Sequence, residues 1–168
     1  MAHKKEYKKL DMKTEEQIIL TTKNLLQSLG FKFEEVVCVF DEKHGMYICE
    51  IKGADSKTLI GREGETLDSI NHLIRRICER GGLDVSIVRS IFLETNNFLT
   101  EKIKNLETVA HMMAERAKFF KKDTELDPMR SFERKIIHTF LEGKPNIKTE
   151  SVGFGKDRRV VIRFFENN

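Results

Sequence analysis

The stretch Thr58–Ile70, TLIGREGETLDSI, places two glycines three residues apart between two short segments with helical apolar spacing. Glycine has no Cβ and adopts positive φ angles at little cost. Two glycines in this setting either turn the chain between two helices or bring backbone N–H groups within reach of a ligand. The spacing alone does not choose between these interpretations, so the flanking elements have to decide.

The residues before this stretch predict a helix and a β-hairpin. Helical apolar spacing over 15–29 follows the capping-box pattern TEEQ, and Gly30 fits a left-handed C-terminal cap. Strand patterns at 33–40 and 46–51 flank DEKHG, which is typical of a hairpin loop. A short helix capped by Asp55 then leads into the two glycines.

The residues after this stretch predict two longer helices with a strand between them. The first begins near Glu65 and ends at Gly81, and 83–93 is predicted as a third strand. Its apolar face comprises Leu67, Ile70, Leu73, Ile74, Ile77 and Cys78. A heptad repeat over 95–122 predicts the second helix, with a seam of Leu99, Ile103, Leu106, Ala110, Met113, Ala117 and Phe120. Because this seam is short and contains two alanines, we expect it to pack within its own chain rather than against a second chain.

The element order predicts an α+β protein with two small domains. Beyond the heptad helix, the patterns predict a short strand at 125–126, a helix at 131–141 and strands near 147–151 and 158–165. The expected boundaries are 1–13 for a basic extension, 14–93 for an α-β-β-α-α-β domain, 94–122 for the long helix that links to and packs in the second domain, and 123–168 for that second domain with its small antiparallel sheet.

The composition excludes several classes of protein. None of the apolar runs is long enough to span a bilayer, and the N-terminus lacks the apolar segment of a signal peptide, which predicts a cytoplasmic protein without membrane contact. Cys38, Cys49 and Cys78 lack the spacing of metal ligands, so we expect buried, reduced thiols and no metal or cofactor.

The charge is distributed unevenly along a chain whose net charge is only +3. Residues 1–10 contain four Lys and one Glu, and residues 129–168 contain nine basic and five acidic side chains. The residues between them contain seventeen basic and twenty-one acidic side chains. This distribution fits contact with a polyanion at particular surfaces, although an uneven solubilising surface would produce the same pattern.

The GREG loop does not match the common nucleotide-binding loops. A P-loop requires Lys-Ser/Thr after its last glycine, whereas Glu65-Thr66 follows here. A dinucleotide-binding fingerprint requires a strand that runs directly into the glycines, and none is predicted. What remains is a glycine loop that opens onto a helix N-terminus, a setting suited to a phosphate.

The sequence LIGREGETLDSINHL, set in the order α-β-β-α-α-β, resembles a K-homology (KH) domain of the type II arrangement. That family binds single-stranded nucleotides in a groove, and its GXXG loop clamps their backbone. The resemblance implies a clamp formed by Gly61, Arg62, Glu63 and Gly64, with Ile60 and Leu67 on the groove floor. The acidic Glu63 departs from the family pattern, and we therefore expect weak binding by this domain alone.

A second constellation lies on the predicted helix 131–141. Arg134 and His138 are four residues apart and project away from its apolar arc. They are either a plain surface pair or a binding pair, because no nucleophile or carboxylate motif accompanies them. A bidentate guanidinium beside a histidine suits phosphate or base contact. Lys156, Arg158 and Arg159, at the exit of a Gly-rich loop, extend the same basic character.

The run DPMRSFERKIIHTFLEGKPNIKTESVGFGKDRRVVI, residues 127–162, resembles the R-three-H domain, which binds single-stranded nucleic acid through its signature Arg and His. A KH domain followed by a long helix and this module resembles the Jag (SpoIIIJ-associated) family of bacterial RNA-binding proteins. The resemblance implies a single-stranded RNA ligand (or single-stranded DNA), a small KH-only protein partner, and a post-transcriptional role linked to cell elongation or division. Family members often carry an additional N-terminal Jag domain, whereas this chain starts close to the KH-like unit.

The combined patterns predict a non-enzymatic single-stranded RNA-binding protein whose two weak sites act together on one strand. The alternative is a protein-interaction adaptor that docks partners on the heptad helix or the KH-like surface. Salt dependence separates the two, because binding through several cations weakens steeply as salt rises. Replacing Gly61 and Gly64 with Asp is expected to repel phosphate without touching the core.

Overall fold

The computed structural model describes residues 12–166, so most of the predicted basic extension lies outside the described residues. The chain divides into two compact units, with the boundary between Leu99 and Thr100. Each unit is built on its own three-stranded sheet, which is the predicted α+β class. Within residues 12–166, no helix has the length and apolar character needed to cross a membrane.

The first unit follows the predicted helix–hairpin–helix–helix–strand order. Its elements are α1 Met12–Ser28, β1 Glu35–Asp41, β2 Met46–Lys52, α2 Ser56–Ile60, α3 Glu65–Arg80, α4 Val85–Arg89 and β3 Ile91–Glu94. β2 is the central strand, antiparallel to β1 and parallel to β3. Buried side chains of α1, α3 and the sheet form one core, which includes Ile18, Leu26, Ile51 and Ile74.

The third strand is shorter than predicted. Residues 83–93 were expected to form one strand, but Val85–Arg89 is a helical turn and only Ile91–Glu94 pairs with β2. The cause is Asp84, whose carboxylate accepts a hydrogen bond from the Ser86 N–H at 2.7 Å and caps the turn. This local hydrogen bond overrides the β-branched pattern of the segment.

The buried face of α3 is also displaced from the predicted apolar face. Asn71 is buried, whereas Leu73 and Ile77 are 45% and 44% exposed. The buried positions 67, 70, 71, 74 and 78 define a stripe that passes through Asn71. Leu73 and Ile77 lie at the edge of that stripe, because each residue advances about 100° around a helix.

All three cysteines are buried in the first core, as predicted, and all are free thiols. Cys38 and Cys49 are direct register partners on β1 and β2. Within the described part of the chain, no group of three or more His, Cys, Asp or Glu side chains is arranged to hold a metal ion.

The second unit contains most of α5 Phe98–Phe120, then β4 Thr124–Glu125, α6 Ser131–Leu141, β5 Ile147–Val152 and β6 Arg159–Phe164. β6 is the central strand and is antiparallel to both neighbours. Ala110, Ala114 and Ala117 of α5 pack into the core of this unit. Phe120 was wrongly placed in the seam and is 59% exposed, because it is the last residue of α5 and lies beyond the last buried alanine, Ala117.

Candidate nucleic-acid interface

The GREG loop is a tight turn made of left-handed backbone. Gly61 and Gly64 have φ angles of 71° and 87°, and Glu63 between them has a φ of 52°. Residues Arg62–Gly64 form a single 3₁₀ turn, and α3 begins directly after it. Positive φ at the two glycines lets the chain reverse twice in four residues, which brings the loop to the N-terminal end of α3.

Close packing also requires the two glycines. A Cβ at Gly61 would overlap the Thr66 hydroxyl, and a Cβ at Gly64 would lie 2.8 Å from the ring of Phe98. The expectation that Asp at these positions would leave the core untouched was therefore wrong. Charge has to be changed at the two central residues of the loop instead.

The side chains of the loop carry opposite charges. Arg62 and Glu63 are both exposed, so their charges largely offset each other at the loop surface. Ile60 is half-buried, and Leu67 is only 5% exposed within the core of the first unit. Of the two residues predicted to form the groove floor, Ile60 is accessible to a ligand and Leu67 exposes little surface.

A cavity in the second unit, here called the α6–β5 cavity, brings together the predicted Arg134 and His138. Its volume is about 590 Å³, within the range of about 300–1,000 Å³ typical of ligand sites. α6 supplies Arg134, Lys135 and His138 to the lining, and β5 supplies Lys148, Thr149 and Ser151. Arg134 and His138 share a face of the helix because they are four residues apart.

His138 is held by two hydroxyl groups that the sequence reasoning did not single out. Its Nδ1 lies 2.7 Å from Thr149 Oγ1, and its Nε2 lies 2.8 Å from Ser151 Oγ. Thr149 and Ser151 alternate along β5 and so point to the same face of the sheet. That spacing of two was the available signal, since a helix histidine can bind both hydroxyls of such a strand.

The environment of His138 disfavours the protonated form of its ring. Burial, and then the nearby Arg134 guanidinium, lower the pKa of His138 below its usual value. A neutral imidazole has one N–H, so it donates to one hydroxyl and accepts from the other. The histidine therefore joins α6 to β5 through the two hydroxyls, whose residues both line the cavity.

Among residues 12–166, the Arg134 guanidinium is anchored at one nitrogen. Its Nη1 donates to the Met129 carbonyl at 2.7 Å, which leaves donors of the guanidinium directed at the cavities. The neighbouring Glu133 carboxylate is already engaged by the Lys102 ammonium at 3.0 Å and the Arg130 N–H at 2.7 Å. The charge of the acid beside Arg134 is thus largely offset, and three cationic side chains, Arg134, Lys135 and Lys148, line the α6–β5 cavity with one further acid, Glu142.

The three basic residues predicted after the Gly-rich loop differ in their surroundings. Lys156 and Arg158 are exposed, and neither side chain makes an ion pair or hydrogen bond with another residue in the described range 12–166. Arg159 instead pairs with Glu125 at 3.2 Å. A second cavity, here called the loop cavity, has a volume of about 710 Å³ and is lined by Ser131 and Arg134 of α6 together with Gly155 and Lys156.

The sequence of this region matches a known protein domain and several known proteins. Residues 104–164 match the R3H domain, which is the R-three-H domain. The chain is 34% identical over 118 residues to the RNA-binding protein KhpB of Clostridium symbiosum, covering 70% of this chain and 52% of that protein. It is 33% identical over 114 residues to the RNA-binding protein KhpB of Bacillus subtilis, covering 67% of this chain and 53% of that protein.

A third relative, the RNA-binding protein KhpB of Lactiplantibacillus plantarum, is 30% identical over 105 residues, covering 62% of this chain and 31% of that protein. The chain thus spans about half the length of the first two relatives, or less of the third. The domain match covers α6, β5 and β6, which carry Arg134, His138 and both hydroxyls. On these matches the chain belongs to the Jag family, and residues 104–164 are its R-three-H domain.

Proposed function

We propose that this protein binds single-stranded RNA without catalysing a reaction, and that the α6–β5 cavity is its principal contact. The observation that carries the proposal is the grouping of Arg134, His138, Thr149 and Ser151 around one open cavity in the R-three-H domain. A guanidinium and two oriented hydroxyls can hydrogen-bond a phosphate and a ribose 2′-OH at once.

Binding rather than catalysis is favoured by the state of His138. Its Nδ1 contacts the Thr149 hydroxyl and not a carboxylate, so the ring lacks the partner that orients the base in a Ser-His-Asp triad. The names of the relatives, which describe RNA-binding proteins, support the same proposal.

The proposal is tested by measuring the affinity for a random single-stranded RNA pool by fluorescence anisotropy across a salt series. Arg134→Ala should weaken binding by about tenfold or more, because a charge-assisted hydrogen bond contributes about 1.5–3 kcal/mol. It should also reduce the slope of affinity against salt. The matched control is Arg116→Ala, since Arg116 is exposed on α5 and lines neither cavity. Equal losses for the two variants would refute a specific cavity site.

We further propose the GREG loop as a second, weaker site for the same strand, in a KH-like first unit. The support is the left-handed loop at the start of α3 and its nearly balanced charges. Glu63→Lys should strengthen binding severalfold and Arg62→Glu should weaken it, because each changes the charge that faces a phosphate. Arg89→Glu, at an exposed position of α4, is the control for charge change alone. A loop without a ligand would respond no more than this control.

A cytoplasmic, post-transcriptional role with a link to cell elongation or division is the cellular form of this proposal. It follows from the family resemblance rather than from any residue. Crosslinking of RNA to the protein in cells, compared between the native chain and Arg134→Ala, measures the RNA contact. Cell length in the same two strains measures the link to elongation, and unchanged length would separate that link from RNA binding.

The second candidate function is an adaptor role, and one observation favours it. Exposed apolar side chains follow α5 at Val109, Met112, Phe119 and Phe120, and the last two rings stack edge-on at 5.0 Å. A small KH-only protein is the partner that the family resemblance implies for such a surface. Light scattering of a mixture of the two proteins should then detect a complex that persists at high salt and is lost in Met112→Glu. A complex insensitive to Met112→Glu would exclude this surface.

A further inference from the structure

Phe154 is the most exposed large apolar residue in the described part of the chain, with 93% of its side chain open to solvent. It lies in the loop between β5 and β6, directly before the 3₁₀ turn Gly155–Asp157. An aromatic ring kept in water gains nothing for folding, since its apolar surface remains unburied. The ring is therefore accessible to a ligand.

The loop that carries Phe154 has a defined shape. Gly153 and Gly155 have φ angles of 85° and 54°, and the Asp157 N–H donates to the Phe154 carbonyl at 3.1 Å. A Cβ at Gly153 would lie 3.0 Å from the Asp157 carbonyl oxygen, so this turn closes tightly behind the ring. The fold thus presents the ring outward on a hydrogen-bonded turn.

The two residues that follow Phe154 line the loop cavity. Gly155 and Lys156 form one side of it, and Ser131 and Arg134 belong to both this cavity and the α6–β5 cavity. The two cavities therefore adjoin at Arg134. Lys156 adds a cation, while the acid in the lining, Glu133, is already bound by Lys102 and the Arg130 N–H.

From this arrangement we infer that the loop cavity holds the next nucleotide of the bound RNA strand and that Phe154 stacks on its base. The inference rests on the proposed function, because the strand is the one held at the α6–β5 cavity. A cation that faces a cavity beside an exposed ring matches a phosphate with a base attached. Stacking on an aromatic ring tolerates any base, so the site adds affinity without sequence preference.

The chain has no Trp, so Phe154→Trp introduces a single fluorophore at the stacking position. A short uridine oligonucleotide should quench this fluorescence, whereas an abasic oligonucleotide with the same phosphates should not. Phe119→Trp is the matched control, because Phe119 is 82% exposed and lines neither cavity. Its fluorescence should not respond to either oligonucleotide. Equal quenching by the abasic strand, or equal quenching at the two positions, would overturn the inference.

Affinity gives an independent readout. Phe154→Leu should lose about tenfold in affinity for the uridine oligonucleotide, and Phe154→Tyr should retain it, because only the aromatic face is required. Unchanged affinity in Phe154→Leu, with RNA binding intact and Arg134-dependent, would overturn the stacking site but leave the proposed function standing. Failure of the native chain to bind RNA would overturn both. A blue shift of Phe154→Trp fluorescence with anionic lipid vesicles but no response to RNA would assign the ring to a membrane surface and also overturn the inference.

Discussion

The GREG loop and the α6–β5 cavity are built from different parts of the chain. In the loop, the geometry comes from the backbone: three of its four residues have positive φ, and both glycines are packed against neighbouring side chains. In the cavity, the geometry comes from side chains, with Arg134 and His138 on α6 facing Thr149 and Ser151 on β5. The shape of the loop thus depends on backbone conformation, whereas the shape of the cavity depends on side chains.

This difference determines how each site responds to change. Removing a glycine from the loop alters the fold of the first unit before it alters any contact with a ligand. Removing Arg134 from the cavity deletes one hydrogen bond to the Met129 carbonyl together with the guanidinium that we propose to bind a phosphate. A substitution of a loop glycine should therefore change both stability and binding, whereas a substitution in the cavity should change binding with a smaller change in stability.

The largest effect should come from the loop glycines. Gly64→Ala should lower the free energy of unfolding by about 2–4 kcal/mol, because it combines left-handed strain of about 1–2 kcal/mol with a clash against the Phe98 ring. Gly82→Ala is the matched control, since Gly82 has a φ of 89° and nothing within 4 Å of its Cβ position. That variant should lose only the strain. Urea unfolding followed by circular dichroism measures both, and equal losses would show that Phe98 does not restrict Gly64.

The hydroxyls of the cavity should have the next largest effect. Thr149→Val combined with Ser151→Ala removes both partners of the half-buried His138 ring and should cost about 1–2 kcal/mol in the free energy of unfolding. RNA affinity should fall as well. Thr108→Val is the control, because Thr108 is exposed on α5 and bonds only the Lys104 carbonyl of its own helix. A double variant as stable as this control would mean that the histidine is not held by β5.

The sequence predicted most of the fold because its signals were local. The capping pattern at Asp55, the glycine stop at Gly81 and the limits of helix 131–141 all depend on residues close along the chain. The errors arose where two local signals competed. The Asp84 cap prevailed over a β-branched run at 85–89, and the end of α5 leaves Phe120 exposed where the heptad spacing predicted a buried residue.

The site was predictable in part for the same reason. Arg134 and His138 share one helix, so their joint presence at a cavity follows from their spacing. Thr149 and Ser151 lie on another element, and their approach to His138 depends on how α6 packs on β5. The Glu125 pairing of Arg159 also joins segments distant in sequence. The spacing of Thr149 and Ser151 places both hydroxyls on one face of β5, but which helix meets that face follows from tertiary packing.

A smaller effect should be a pH dependence of the free energy of unfolding that arises from His138 in the cavity. The pKa of His138 is lowered in the folded state, so the unfolded chain binds more protons and acidification favours unfolding. The stability that depends on neutral His138 should be complete above about pH 6.5 and should decline as the pH falls below that value. Comparing urea midpoints at about pH 7.5 and about pH 5.5 measures this decline.

The control for that measurement lies in the same unit. His138→Gln should reduce the acid-dependent loss, whereas His111→Gln, at an exposed position of α5, should retain it. A loss that persists unchanged in His138→Gln would assign the acid sensitivity to other groups.

The smallest effect should distinguish two adjacent arginines at the start of β6. Arg158 has no ion pair among residues 12–166, whereas Arg159 is bound to Glu125. Arg158→Ala should reduce RNA affinity by about two- to threefold and lower the salt slope by about one. Arg159→Ala should have less effect, because a phosphate has to compete with the Glu125 carboxylate for the guanidinium.

The ion pair between Arg159 and Glu125 can be tested from its acidic side. An exposed ion pair contributes at most about 1 kcal/mol, so Glu125→Gln should release Arg159 and raise RNA affinity slightly. The same change should have no effect when Arg159 is also replaced with Ala. Equal losses of affinity in the two arginine variants, with no change in Glu125→Gln, would show that the ion pair between Arg159 and Glu125 breaks when RNA binds. Arg158 and Arg159 would then attract RNA only through their overall positive charge. The specific contacts would come from the cavity side chains on α6 and β5.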